Sequence, residues 1–433
     1  MSAHTAVMTL LVKGQSQSAG AIPIARYAAS HFGKTILWAT TEVYGVFSLT
    51  DLIGLSPVTA AATFVMLLVW SALCDLAVGF GLDRFKNGRL PTILMRLAGL
   101  VSAIVFAFSF VPIDAGSSSA ALALFATFLF RLCFSLADVP HNTLLSQLAN
   151  GQRAQLRLSV VRMLAGAAAY FALSGIAMLI LAGQSGDIER FRKFISVLGL
   201  IGAVLLLTAP ALRSRSVEVE TPPTMGARQL FGGSVLRLLA ATMIGIVGFS
   251  LALKTLPYVA RYAVGDEAWL GSALFAVTLG KLLTTPVWWW LADRRGARHA
   301  NVLAYLLVPL AAALTAISVG DGTVRIIGFG LLGAAIGGAS MQSWALIAAA
   351  VEDNERDGQR VQATLFGAFT CASKLAVGLG GAVIAITSVT IQSEAAADQG
   401  IWLVSLIVAA TGVIGALLLW SAPTYASEVV SPG

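Results

Sequence analysis

Ionisable side chains interrupt the long apolar stretches of this chain, and their types suit the handling of charge or of protons. Ten of them stand out: Lys34, Glu42, Asp75, Arg131, Asp138, His141, Arg162, Lys254, Lys281 and Lys374. An ionisable group inside hydrocarbon costs about 3 kcal/mol on insertion scales, so such groups face one another or a water-filled cavity. They therefore indicate a route for an ion or a polar solute, which is a property of transporters.

Asp75 has the chemistry of a proton carrier. It precedes Asp83 on the same predicted helix and lies about 12 Å deeper at 1.5 Å per residue. Burial disfavours the charged form of a carboxyl group, so Asp75 could take up a proton. The sequence leaves two interpretations open, a proton-coupling site and a structural ion pair with Arg162 or Lys374.

Asp138, Asn142 and Arg162 form a second polar group. Asn142 follows Asp138 by one turn on the same helix face, and Pro140 frees a backbone carbonyl for a cavity wall. Arg162 keeps its charge and needs a carboxylate, a substrate oxygen or water. We expect it to pair with Asp138 or to contact a substrate, whereas we expect His141 to pack against a neighbouring helix.

The first predicted span contributes three more candidates to the cavity. Glu42 lies deeper than Lys34, and Trp38 falls between them. We expect Glu42 to face the cavity, whereas Lys34 could also lie near the cytoplasmic end. Arg131 lies in a long predicted span, where a neighbouring loop could hold it.

Fixed positive charges outnumber carboxylates among the ten candidates, six to three, when His141 is counted as neutral. A cavity lined by most of them would be positive and would attract an anionic or oxygen-rich solute. Lys254 and Lys281 could instead extend to the membrane interface. Trp38 and Trp344 could stack on a sugar ring.

The composition identifies the elements that must position these residues. The chain has 433 residues, of which 57% are hydrophobic and 11% are charged, whereas soluble domains carry about 25% charged residues. Its three cysteines fall in apolar stretches and show no disulfide or zinc spacing. The basic residues cluster between apolar stretches, which indicates membrane orientation rather than nucleic-acid binding.

A membrane-spanning helix needs about 20 mainly apolar residues. Segmentation on that basis predicts about twelve spans, at 30–53, 57–82, 91–113, 117–149, 155–182, 194–214, 231–262, 267–292, 299–318, 322–351, 359–387 and 398–421. The polar segment 215–230 with its paired prolines reads as a linker. We therefore expect a cytoplasmic extension at 1–28, six-helix bundles at 29–214 and 231–421 joined by that linker, and a cytoplasmic tail at 422–433.

The two halves repeat a short charged motif at the end of a second span. Asp83-Arg84 and Asp293-Arg294 are 210 positions apart (293 − 83), and each opens a basic loop. Basic loops favour the cytoplasmic side, which also places both termini there, although the charged segment 189–193 does not fit this rule. We expect these four residues to form gating contacts.

Several motifs in order resemble the glycoside–pentoside–hexuronide:cation symporters, the melibiose permease branch of the major facilitator superfamily. They are His31-Phe32-Gly33-Lys34, Thr50 to Ser56, Asp75 to Arg84, Asp138-Val139-Pro140, Arg162, Tyr262 to Asp266, Glu352-Asp353, Asp357 to Arg360 and Lys374. The resemblance covers nearly the whole chain. It implies an all-α membrane protein of twelve transmembrane helices in two pseudo-symmetric six-helix bundles, with the substrate site between them.

The resemblance also implies roles for individual residues. Lys34, Asp138 and Arg162 correspond to sugar-site residues of the family, Asp75 corresponds to the second aspartate of its helix-2 cation site, and Lys374 to a helix-11 lysine at that site. The predicted cation-coupling residues are accordingly Asp75 and Lys374. The predicted substrate-binding residues are Lys34, Thr35, Trp38, Glu42, Asp138, Asn142, Arg162, Lys254 and Trp344.

The chain also departs from the family at its cation and sugar sites. Ser71 replaces the first aspartate of the cation site and Cys74 replaces an asparagine. Because few oxygen ligands remain for a hard cation, a proton is favoured over sodium. Thr35 replaces a sugar-binding aspartate, and a tryptophan expected near Asn142 is missing, which favours acidic glycosides, uronides or organic acids over galactosides.

These observations predict a proton-coupled symporter of a polar, anionic small solute in the inner or plasma membrane. A transporter of lysophospholipid-type amphiphiles is the alternative. A membrane enzyme would need a catalytic motif, and none is found; a receptor without transport activity would not need so many buried charges. The expected partners are a small-molecule substrate, a proton and the lipid bilayer, with no nucleic acid, cofactor or resident metal.

Overall fold

The structure of the chain is a computed structural model, and it describes residues 20–85, 89–110, 117–181, 188–212, 232–265, 269–317, 322–356, 361–391 and 397–422. The predicted linker 215–230 lies outside the described residues. So do residues 1–19 of the predicted extension and residues 423–433 of the predicted tail.

Helices form the regular structure of the described residues. They are α1 (Ala21–Phe47), α2 (Pro57–Leu82), α3 (Arg89–Phe108), α4 (Ser117–Leu148), α5 (Gln152–Leu181), α6 (Ile188–Leu207), α7 (Gly233–Tyr258), α8 (Trp269–Leu283), α9 (Thr285–Arg295), α10 (Ala297–Ile317), α11 (Gly322–Arg356), α12 (Gln362–Ile391) and α13 (Ala397–Trp420).

Each predicted span coincides with one of these helices or with a pair of them. α8 and α9 share the eighth span, because Pro286 near the start of α9 cannot donate a helical hydrogen bond. α1 begins at Ala21, inside the predicted extension, and α6 begins at Ile188, so that it includes the charged segment 189–193. Short π-helical turns continue α1 over Ser48–Leu52 and α7 over Val259–Val264.

The outward surface of the helices suits hydrocarbon. Ten described spans are long and apolar enough to cross a membrane, and α1 and α6 have similar lengths but carry more polar residues. Many large apolar side chains are exposed, including Leu97, Leu306 and Leu417. In a bilayer these side chains would contact lipid, whereas in water they would form an unfavourable apolar surface.

The chain divides into two compact units. Unit 1 comprises 1–150, 161–222 and 358–371, and unit 2 comprises 151–160, 223–357 and 372–433. The first residues of α5 thus belong to unit 2, and the first residues of α12 belong to unit 1.

Aromatic packing and close helix approach hold unit 1 together. Phe106, Phe130 and Phe194 belong to one buried cluster of α3, α4 and α6. α1 approaches α6 closely, because a Cβ atom added to Gly33 would lie 2.6 Å from the Cβ atom of Leu205. This packing fixes the position of α1, the helix that carries the candidate residues of the first span.

Candidate functional site

One face of α4 carries three polar residues of unit 1. Arg131 and Asp138 are seven residues apart, and seven residues rotate the helix by about 20° less than two full turns. Asn142 follows Asp138 by a further turn, so the three residues lie on one face. All three are buried. They face α1, where they meet Lys34 and Glu42.

Lys34 is the centre of this polar network. Its Nζ atom lies 2.6 Å from Oδ1 of Asp138, 2.7 Å from Oδ1 of Asn142 and 3.2 Å from Nδ1 of His141. An ammonium group has three N–H donors, and each of them can bind one of these three acceptors. The side chains of Lys34 and Asp138 are only 4% and 9% exposed, so Lys34 lies inside the protein.

Asn142 links Lys34 to Arg162. Its Oδ1 atom accepts a second hydrogen bond, from Nη1 of Arg162 at 3.0 Å. Arg162 also donates to the hydroxyl of Tyr27 at 3.3 Å. We name Tyr27, Lys34, Asp138, His141, Asn142 and Arg162 the Lys34 cluster. Lys34 is an ion-pair partner of Asp138 in this structure, and the expected contact of Asp138 with Arg162 stays a prediction.

His141 belongs to the Lys34 cluster, although it is not among the predicted substrate-binding residues. Its ring stacks on Tyr27 and His31 of α1, with centroids 5.1 and 5.8 Å apart, as expected of a packing residue. Its Nδ1 atom also contacts Lys34, and its Nε2 atom lies 2.8 Å from the hydroxyl oxygen of Ser30. The signal in the sequence was its position three residues after Asp138, which places both on one side of α4.

Glu42 and Arg131 form a second ion pair in unit 1, which we name the Glu42 pair. Both terminal nitrogens of Arg131 lie 3.3 Å from Oε1 of Glu42, and its guanidinium lies 4.7 Å from the centroid of Trp38. The alternative that a loop holds Arg131 is wrong, because its partner lies on α1. Arg131 is 1% exposed and Glu42 is 18% exposed, so Glu42 is the more accessible member.

Asp75 is fully buried on α2 in unit 1. Its carboxylate acts electrostatically on Arg131, which is not one of the partners predicted for it. α12 approaches it closely, because a Cβ atom on Gly367 would lie 2.5 Å from the backbone oxygen of Asp75. Among the described residues, no three His, Cys, Asp or Glu side chains are grouped as a metal site would need.

Asp83 caps the first turn of α12. Its two carboxylate oxygens accept hydrogen bonds from the backbone N–H groups of Ala363 at 3.0 Å and Thr364 at 2.6 Å. These amides have no acceptor within their own helix, and the helix N-terminus favours a negative charge. Gly79 permits this approach, since a Cβ atom there would lie 2.6 Å from the oxygen of Ala363.

The other predicted gating residues make different contacts. Asp293 pairs with Arg153 at 2.9 Å in unit 2. Arg294 lies over the ring of Trp290, 4.7 Å from its centroid. Arg84 is exposed at the end of α2. Asp83 and Asp293 therefore share a sequence motif but bind different groups, a pair of amides and a guanidinium.

The remaining predicted residues are spread over both units. The Thr35 hydroxyl donates to the backbone oxygen of His31, so its hydrogen is used within α1. In unit 2, Lys374 is buried, Trp344 is partly buried, and the Cε atom of Lys254 lies 3.8 Å from a Cβ atom built on Gly381. Gly381 thus leaves room for the Lys254 side chain along α12.

The charges of the ten candidates are distributed unevenly. Unit 1 holds three cations, Lys34, Arg131 and Arg162, and three carboxylates, Glu42, Asp75 and Asp138. Unit 2 holds Lys254, Lys281 and Lys374. The surplus of positive charge therefore comes from the lysines of unit 2.

Comparison with known proteins gives one family for nearly the entire chain. The sequence profile of the family described as MFS/sugar transport protein matches residues 26–425. A putative glycoside/cation symporter, YagG, of Escherichia coli K12 is 23% identical over 366 residues, which are 80% of this chain and 78% of that protein. The glucuronide carrier protein homolog of the same organism is 21% identical over 378 residues, or 83% and 81% of the two chains.

Solved structures show the same fold. The proton:xylose symporter XylE, solved with 6-bromo-6-deoxy-D-glucose, superimposes with a TM-score of 0.70 and covers 98% of each chain, at 14% sequence identity. At this identity the likeness concerns the fold alone. It confirms the prediction of an all-α membrane protein of the major facilitator type.

Proposed function

The chain belongs to the MFS/sugar transport protein family, and we propose that it is a proton-coupled symporter of an acidic glycoside or a related organic anion. Secondary transport through alternating access is the general mode of this fold. The protein would lie in the inner or plasma membrane with both termini in the cytoplasm. The names of its relatives support glycoside and cation symport at the level of the class.

The Lys34 cluster carries this proposal, because it contains a buried amide donor that a solute oxygen could satisfy. Lys34 and Arg162 both point at Oδ1 of Asn142, and this orients the amide so that its Nδ2 atom faces away from the two cations. That Nδ2 atom is buried and makes no hydrogen bond to any described residue. A buried donor of this kind costs about 1–3 kcal/mol while it is unsatisfied, and a substrate oxygen would satisfy it.

An anionic substrate is supported by the balance of charges. Lys34 and Arg162 exceed Asp138 by one positive charge in the Lys34 cluster, and unit 2 adds three lysines. No ion-pair partner of Lys254 is found among the described residues of unit 2. A carboxylate on the substrate would compensate such a charge in a low-dielectric site.

Asp75 is the proposed site of the coupled proton. It is fully buried, and burial favours the protonated form of a carboxyl group. Ser71 and Cys74 offer few oxygen ligands of the kind that a metal cation requires. Arg131 supplies a fixed positive charge that would attract the carboxylate again once the proton has left.

Uptake into proteoliposomes tests the proposal with a matched pair of solutes. Methyl glucoside and methyl glucuronide differ in the carboxylate at C6, and each would compete with a labelled acidic glycoside under an imposed pH gradient. We expect the glucuronide to compete better, and we expect Lys254→Ala to reduce this preference while Lys254→Arg retains it. Equal competition by the neutral glucoside, with Lys254→Ala indifferent to charge, would refute the anionic substrate.

A further inference from the structure

We propose that His141 is a second proton acceptor, and that Lys34 controls its protonation. His141 stays neutral while Lys34 donates a hydrogen bond to its Nδ1 atom, and it takes a proton when Lys34 turns to an acidic substrate. This inference rests on the proposed function for the identity of the substrate. Its structural core, the dependence of His141 on Lys34, can be tested without any substrate.

The hydrogen bond to Ser30 indicates whether Nε2 of the imidazole carries a hydrogen. The Ser30 hydroxyl donates its single hydrogen to the backbone oxygen of Tyr27 at 3.0 Å. The same oxygen atom lies 2.8 Å from Nε2 of His141, where it can only accept. Nε2 of His141 therefore carries a hydrogen.

The contact with Lys34 indicates whether the other ring nitrogen, Nδ1, carries a hydrogen. An ammonium group donates hydrogen bonds and cannot accept them, and Nζ of Lys34 lies 3.2 Å from Nδ1 of His141. Nδ1 must therefore be the acceptor and carry no hydrogen. Two independent contacts thus assign the same neutral tautomer, and a proton on Nδ1 would point at the ammonium group.

The charged and titratable groups around His141 reinforce this dependence. α1 contributes Lys34 with the stacked rings of Tyr27 and His31, and α5 contributes Arg162. Burial, and after it both cations, disfavour a charged imidazole, whereas the negative charge of Asp138, which precedes His141 on α4 and pairs with Lys34, opposes them. With Lys34 in place, the two cations outnumber the carboxylate.

Substrate binding would reverse this balance at Lys34. The contact with His141 is the longest of the three acceptor contacts of Lys34 and involves a neutral partner. A substrate carboxylate competes best for that N–H group, since charge-assisted hydrogen bonds are the stronger ones. Nδ1 then loses its donor, and a proton from bulk water can form the Nδ1–H bond. Substrate and proton therefore bind with positive coupling, which acts equally in both directions.

Nitrogen NMR of histidine-labelled protein in lipid nanodiscs tests the core of the inference. The chain has four histidines, and a His141→Asn variant identifies the His141 signals. In the wild type we expect His141 to carry a hydrogen on Nε2 and none on Nδ1. We expect this state to persist from about pH 8 to about pH 5, across the range in which free imidazole titrates. In Lys34→Met, or in Lys34→Gln if the first variant fails to fold, we expect both nitrogens to be protonated at the acidic end.

His299 provides an internal control, because it is exposed at the start of α10 in unit 2. Its nitrogen signals should be the same in the wild type and in the Lys34 variants at each pH. The inference is overturned by a hydrogen on Nδ1 in the wild type, by protonation of wild-type His141 within this pH range, or by a His141 that stays neutral without Lys34.

Calorimetry with methyl glucuronide then separates this inference from the proposed function. In buffers of different ionisation enthalpy, wild-type protein should take up protons on binding, and affinity should rise by at most about tenfold per pH unit of acidification for each proton taken up. His141→Asn keeps an acceptor near the Nδ1 position and should bind with one proton fewer. Unchanged proton uptake in His141→Asn overturns the inference, whereas absence of binding to all acidic glycosides overturns the proposed function and leaves the NMR result to decide on His141.

Discussion

The ion pair of Lys34 and Asp138 should dominate the stability of the Lys34 cluster. The two groups are 2.6 Å apart and both are more than nine-tenths buried. Removing one member of a buried pair leaves an uncompensated charge, which costs about 3–5 kcal/mol. Lys34→Met and Asp138→Asn should each lower the free energy of unfolding by an amount in this range.

The contacts of Lys34 predict which variant suffers more. In Asp138→Asn the ammonium keeps Asn142 and His141 as acceptors. In Lys34→Met the carboxylate loses an ion-pair partner and Nδ1 of His141 loses its donor. We therefore expect Lys34→Met to lie at the upper end of the range and Asp138→Asn at the lower end.

A double-mutant cycle measures the interaction itself. The double variant removes both charges, so its loss should be smaller than the sum of the single losses by about 1–3 kcal/mol, the size of coupling between contacting residues. Chemical unfolding of purified protein, followed by tryptophan fluorescence, provides the free energies. Additive losses for the Lys34 and Asp138 variants would refute the reasoning.

Three further substitutions test other parts of the site. Asp75→Asn should abolish accumulation driven by a pH gradient while substrate exchange persists; full accumulation, or a strict sodium requirement in the wild type, would contradict the role of Asp75. Asp83→Ala should destabilise the start of α12 by about 1–2 kcal/mol, the cost of a lost helix cap, and should speed hydrogen exchange of its first amides; unchanged exchange would show that the cap is unimportant. Glu42→Gln should cost about 1–3 kcal/mol, because Arg131 loses a charged hydrogen-bond partner while the charge of Asp75 still acts on it, and replacing Arg131 by Met as well should recover part of this in chemical unfolding.

The architecture could be predicted because the bilayer imposes a strong length requirement. About 20 apolar residues per span and the repeat of Asp83 and Asp293 were enough to predict the fold class, which is confirmed by the similarity to XylE. The resemblance to the symporter family is likewise confirmed by the family match. Helix boundaries were less accurate where charged residues begin a helix, as at Ile188.

The partners of the buried charges were harder to predict, because they depend on contacts between distant helices. Asp138 and Arg162 lie on consecutive helices and suggested a pair, which stays a prediction, whereas the ion pair of Asp138 with Lys34 of α1 was not predicted. Arg131 pairs with Glu42, 89 positions away in the sequence. Helical periodicity gives the face on which a residue lies, but it contains no information on which residue of another helix stands at the same depth.

The balance of charge in unit 1 gives a physical reason for coupling an anion to a proton. The candidate residues of unit 1 carry three positive and three negative charges, so among these residues alone a bound monoanion would leave one negative charge uncompensated. An unpaired charge in low dielectric is costly, and one proton, on Asp75 or on His141, would restore neutrality. Because the anion makes protonation more favourable and the proton makes anion binding more favourable, the two would enter together even without direct contact between them.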